Sequence, residues 1–164
     1  MTPTARPTQQ ALAEAPSAGL LRRLGAMVYD ALLVLALALT TTGALELFAE
    51  RPEIPEGAET QSLEGMQVIS GAPLTALLLA QTFAFFAFFW LRHGRTLGMQ
   101  AWRLQIVAPD GSGPDLTQVI QRFIVAAPSL LLFGVGYLWR LLDPAGLTWP
   151  DRASGTRVVV VPHD

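Results

Sequence analysis

Apolar residues in this chain fall into three long blocks, and the polar stretches between them differ sharply in character. The first block, 24–48, reads "LGAMVYDALLVLALALTTTGALELF". A membrane-crossing helix needs about 20 mostly apolar residues, so the block predicts one. Thr40, Thr41 and Thr42 can bond back to their own helix, and Glu46 falls near the far end, within reach of headgroups. The second block, 72–91, "APLTALLLAQTFAFFAFFWL", predicts another crossing helix. It closes on Trp90, a residue type that anchors helices at the membrane surface. The third block, 116–142, holds Arg122 and is interrupted by Pro128, Gly134 and Gly136. It predicts a kinked or re-entrant segment, broken near Pro128. The expected fold is an all-α membrane protein, a small multi-span helical bundle.

The polar stretches set the orientation. Residues 1–18, rich in Pro, Thr, Gln and Ala, predict a disordered polar tail. No small-residue cleavage site follows the first block, so that block is expected to be an uncleaved helix. The loop after it carries Glu50, Glu53, Glu56, Glu59 and Glu64 against Arg51. The loop after the second block carries Arg92, Arg95 and Arg103, and the first block is preceded by Arg22 and Arg23. Positive residues favour the cytoplasmic side and acidic ones count for little. The N-terminus and the basic loop are therefore expected inside, and the Glu-rich loop outside.

Two short strands are expected, at 102–107 ("WRLQIV") and 156–161 ("TRVVVV"). They can pair only if they lie on one side of the membrane. A single crossing by the third block would separate them, whereas a returning block would bring the tail 143–164 back to the cytoplasmic side. That side is the one favoured by Arg140, Arg152 and Arg157.

Composition narrows the function. Apolar residues make up 51% of the 164 and charged residues 15%, against about 25% charged in soluble domains. Mean hydropathy is +0.40. The absence of cysteine excludes disulfides, thiolate catalysis and Cys-ligated metal. All 11 basic side chains are arginine, which excludes a Schiff-base lysine and a P-loop. No basic stripe with interleaved aromatics points to nucleic acid. "DGSGPD" lacks the spacing of a calcium loop, "GVG" lacks a βαβ context, and His93 and His163 stand alone. No cofactor, metal or catalytic constellation is expected, and the chain is not expected to be an enzyme.

The polar residues inside apolar sequence are the ones that need reasons. Asp30 lies seven residues beyond Arg23, about 10 Å along a helix rising 1.5 Å per residue. A carboxylate at the bilayer centre costs about 2.5–3.5 kcal/mol on insertion scales, so it needs a partner, a water path or a proton. Arg23, Ala26 and Asp30 share one helix face. Arg122, also embedded in apolar sequence, is the expected mate of Asp30. In the tail, "WPDRASGT" reads as a tight turn carrying Asp151 and Arg152. If it returns to the membrane face, a cluster of Arg23, Arg95, Arg152 and Asp151 is expected there.

The segments "RRLGAMVYD", "GRTLGMQAWRLQIV", the "RF" of the third block and "DRASGT" before a valine run resemble the RDD family of bacterial membrane proteins, over about 20–161. The resemblance maps the arginine and two aspartates that name the family onto Arg23, Asp30 and Asp151, within a membrane domain at 19–164. Arg122, Arg95, Thr96 and Arg152 are the supporting or ion-pairing residues expected around them. The chain departs from the family pattern in three places. Pro150 stands where a histidine usually precedes the last aspartate, so any imidazole role there is absent. The family's Gly-Gln-Thr turn reads Gly94-Arg95-Thr96, and Met99 occupies an often basic position.

The resemblance implies a protein of the bacterial cytoplasmic membrane. One expectation is a transport component linked to cation or proton movement, as proposed for some relatives. The alternative is a non-catalytic scaffold or accessory protein, whose intramembrane charges fix helix packing and whose cytoplasmic segments bind a partner. Either way the expected partners are the lipid bilayer and a second copy or another membrane protein, and no nucleic acid.

Overall fold

The computed structural model describes residues 7–48 and 71–162. The Glu-rich loop, the first six residues and His163 lie outside the described residues. The chain is mostly helical with one small sheet. Helix α2 (Leu20–Phe48) and helix α3 (Ala72–His93) are the two apolar rods. With 29 and 22 residues they run about 43 Å and 33 Å at 1.5 Å per residue. Both are long and apolar enough to cross a membrane. Pro73 opens α3, where its missing N–H costs nothing.

The described part of the expected polar tail is built, not loose. Helix α1 (Gln9–Glu14) starts at Thr8, whose side chain accepts from the Ala11 amide. Leu12 and Ala15 pack on Val107 and Val159. The polar composition of 1–18 hid this i, i+3 apolar pair. Residues 16–18 then run beside the sheet: Ser17 bridges Val159, and the Ala18 amide donates to the Val158 carbonyl at 2.8 Å.

The expected strand pair forms. Strand β1 (Leu104–Val107) lies antiparallel to β2 (Arg157–Val160), in a register that sets Leu104 against Val160 and Val107 against Arg157. A short helix, α4 (Leu97–Ala101), separates α3 from β1 inside the stretch expected to be a basic loop. It docks on α2 so closely that Gly98 has no room for a side chain: a Cβ there would sit 2.4 Å from the Ala26 carbonyl. The main core lies between the sheet and the membrane-facing helices, with Ala26, Ala87, Trp90, Met99, Leu104, Ile106, Val119 and Val158 at its centre.

The third block is bent, but not at Pro128. Helix α5 (Leu116–Leu131) carries Pro128 in its last turn and continues, and the Leu132 amide still donates to the Pro128 carbonyl at 3.0 Å. The break comes at Phe133 and Gly134, two consecutive left-handed residues with φ of 54° and 78°. Helix α6 (Val135–Leu138) and a 3₁₀ turn (Trp139–Leu141) follow at 108° to α5. Proline removes one hydrogen bond, whereas two left-handed residues redirect the chain.

The tail turn expected at "WPDRASGT" is a helix, α7 (Trp149–Ser154). Thr148 caps it reciprocally: the Thr148 hydroxyl accepts from the Asp151 amide, and the Asp151 carboxylate accepts from the Thr148 amide at 3.1 Å. This pattern, Thr-x-x-Asp with Pro early in the helix, is a start signal in the sequence. α7 packs principally on α5.

Replacing Gly98 with alanine forces a methyl into the Ala26 carbonyl and the Asp30 carboxylate. Overpacking of this kind costs about 1–3 kcal/mol. A lowered melting temperature of Gly98→Ala in detergent, against an unchanged Gly113→Ala in open space, is the expected outcome.

Candidate functional site

The polar residues gather at the N-terminal end of α2, where α4, α5, α7 and the sheet meet it. On α2 the buried residues are Arg23, Ala26 and Asp30, the single face read from their spacing. From Ala31 onward no residue of α2 is buried. The helix is thus embedded in protein at one end and at most half-buried along the rest, where Thr41 donates to Gln81 on α3.

Asp151 is the centre of one cluster. It is fully buried. Its Oδ2 accepts from Arg23 Nη1 at 2.5 Å and from the Thr148 amide, and its Oδ1 accepts from Arg122 Nη2 at 2.6 Å. Each arginine is held further. Arg23 Nε donates to the Ala18 carbonyl at 3.1 Å. Arg122 Nη1 donates to Thr156 Oγ1 at 2.7 Å, and its guanidinium lies over the Trp90 ring, 5.8 Å from the centroid. A buried carboxylate tolerates desolvation only when its lone pairs are filled, and here three donors fill them. Burial alone would raise the Asp151 carboxyl. The Arg122 and Arg23 charges, the Arg23 hydrogen bond and the Thr148 amide outweigh burial and hold it below the ordinary carboxylate range.

Asp30 is the second centre, and its partner is not Arg122. Its Oδ2 accepts from Thr96 Oγ1 at 2.5 Å and its Oδ1 from the Gly98 amide at 2.9 Å. Thr96 is the N-cap of α4, and its hydroxyl also accepts from the Met99 amide. Asp30 therefore ties α2 to the start of α4 through neutral donors. The expected Asp30–Arg122 pair fails because α5 packs on α7, which brings Asp151 to Arg122 first.

The remaining expected residues divide. Thr96 is brought into the site. Arg152 is not: it pairs with Asp143, itself buried, whose other oxygen takes the Leu147 amide at 2.8 Å. Arg95 is half-buried and forms no ion pair among the described residues. The expected cluster of Arg23, Arg95, Arg152 and Asp151 is thus a triad of Arg23, Asp151 and Arg122. Sequence reasoning missed Thr148, Thr156 and Trp90. The capping pattern marks Thr148, but nothing local in sequence points Thr156 or Trp90 at Arg122. Among the described residues no three His, Asp or Glu side chains converge as a metal site requires.

Removing the charge of Asp151 strands two buried guanidiniums. Asp151→Asn is expected to cost about 3–5 kcal/mol, read as a loss of melting temperature and of membrane-accumulated protein. The pH dependence follows from the same lock. The folded-state carboxyl lies below its unfolded value, so its contribution is complete above the ordinary carboxylate range and is lost as pH falls through the depressed value. Wild-type melting in detergent is expected to lose stability on acidification in that range, and Asp151→Asn to lack this component.

The RDD family model matches residues 17–155. No curated protein and no solved structure matches the chain. The matched region starts beside the sheet, ends one residue after α7, and contains Arg23, Asp30 and Asp151 together with Arg122, Thr96 and Thr148; Thr156, which holds Arg122, lies one residue beyond it. With two helices able to cross a bilayer and the matched region covering most of its length, the chain is a membrane protein and belongs to the RDD family.

Proposed function

We propose that the chain is a non-catalytic scaffold or accessory protein of the bacterial cytoplasmic membrane, in which two crossing helices carry a rigid module at the cytoplasmic surface. The observation that supports this reading is the Arg23–Asp151–Arg122 triad. All three side chains are buried, and both guanidiniums are bonded to the one carboxylate inside the chain. Groups spent on one another hold elements together and are poorly suited to carrying a solute.

The sheet supports a topology of two crossings with a returning third block. Residues 16–18, β1 and β2 hydrogen-bond as one unit, so the segments before α2, after α3 and after the third block share a side. α2 and α3 account for a crossing and a return, and the third block then enters and leaves on the same side. The arginine distribution favours the cytoplasm for that side. From Asp30 to the end of α2 is 18 residues, about 27 Å, close to a hydrocarbon thickness of about 30 Å. This supports Asp30 at the boundary between module and lipid.

A second reading keeps one specific observation. The Asp30 carboxylate is held by neutral donors, the Thr96 hydroxyl and the Gly98 amide, which makes it the acid best suited to take a proton or cation in a transport cycle. Flux in proteoliposomes separates the two. The scaffold reading expects no proton or cation movement by purified protein, and a stability loss in Asp30→Ala. Flux that disappears in a well-folded Asp30→Asn would replace it with transport.

The chain has no cysteine, so single introduced cysteines report topology cleanly. Ser112→Cys and Ala153→Cys are expected to react with an impermeant thiol reagent from the same side, and Phe133→Cys to resist it. Opposite-side labelling of the first two would end the returning-block topology.

A further inference from the structure

The charges around the triad do not balance. Arg23 and Arg122 share the single carboxylate of Asp151, which leaves one positive charge over. A third guanidinium, Arg140 on the 3₁₀ turn, reaches the same residue as Arg23: Arg23 Nη2 donates to the Ser17 hydroxyl at 3.4 Å and Arg140 to the Ser17 carbonyl. Arg140 donates through Nη2 to the Ser17 carbonyl at 3.3 Å, while its Nε is buried and has no acceptor among the described residues. The neighbouring carboxylates are committed elsewhere: Asp143 to Arg152 and the Leu147 amide, Asp30 to Thr96 and Gly98. Among the described residues three guanidiniums therefore gather around one acid.

The surroundings of Arg140 say what fills the deficit. Trp139 packs on Trp149 with centroids 6.1 Å apart, an aromatic pair of the kind found at membrane surfaces. Leu141 and Leu142 beside it are 67% and 77% exposed, as apolar side chains against acyl chains would be. The guanidinium lies against Gly146, where a Cβ would stand 3.7 Å from Nη2. Arg140 as a whole is only half-buried, and a planar guanidinium suits the oxygens of a phosphate.

We propose that Arg140 binds a phosphate-type anion at the membrane surface, the headgroup of an anionic lipid or free phosphate, which supplies the counter-charge missing from the Arg23–Asp151–Arg122 triad. The site is independent of whether the protein is a scaffold or a transporter.

The test is a melting titration of the purified full chain in detergent, at constant ionic strength, with short-chain phosphatidylglycerol, phosphatidylcholine of equal chain length, and inorganic phosphate. Wild type is expected to be stabilised by phosphatidylglycerol or by phosphate and not by phosphatidylcholine; whichever anion acts identifies the source. Arg140→Gln is expected to need about tenfold more anion, a change of about 1.4 kcal/mol. Arg140→Lys, which keeps the charge and loses the fork, should need about threefold more. Arg95→Gln, an arginine outside the site, should respond as wild type. Equal effects of the two lipids with phosphate inert would overturn the proposal, and so would an equal loss in Arg95→Gln. Should Arg140→Gln not fold, Arg140→Lys decides: a weakened response supports the site and an unchanged one overturns it.

Discussion

The structure turns on one carboxylate shared by two guanidiniums. Asp151 reaches Arg23 on α2 and Arg122 on α5 while its own backbone starts α7. Three elements that are far apart in sequence thus meet at one atom group. The arrangement is costly to assemble, because three ionised side chains leave water. It is more costly to break, because removing one partner leaves the others charged and buried. That asymmetry makes the triad a device for fixing one arrangement of helices rather than a source of net stability.

Asp30 solves the same problem differently. Its cost is met by a hydroxyl and a backbone amide at the start of α4. The close approach that makes this possible depends on Gly98, where a side chain would strike α2. The two named aspartates are therefore not equivalent. One joins charged helices, and the other seats a short neutral one.

Much of the layout was legible in the sequence. The two apolar helices, the bent third block and the strand pair follow from block length, period and turn residues. The face shared by Arg23, Ala26 and Asp30 follows from helical spacing. The partner of Asp30 was not legible. Pairing it with Arg122 assumed that an embedded acid requires an embedded base, but a helix start offers donors that carry no charge. Two acids competed for Arg122, and the contact of α5 with α7 decided between them, a fact carried by packing rather than by either segment. α1 was missed because Leu12 and Ala15 are apolar islands in a polar stretch. The break at Phe133 was missed because the proline drew attention five residues early.

The ion pair between Arg23 and Asp151 joins residues 128 positions apart. Chains emerge from the ribosome N-terminus first, at about 5–20 residues per second, so α2 is made roughly ten seconds before its partner exists. During that interval Arg23 has neither Asp151 nor the Val158 carbonyl. Its long side chain can lie in the headgroup layer, which keeps α2 waiting at the membrane surface with its charge hydrated. Closure of the triad is then a late event in biogenesis. It reports that α5, α7 and β2 have all come together on the start of α2, because only then do both arginines find their acid.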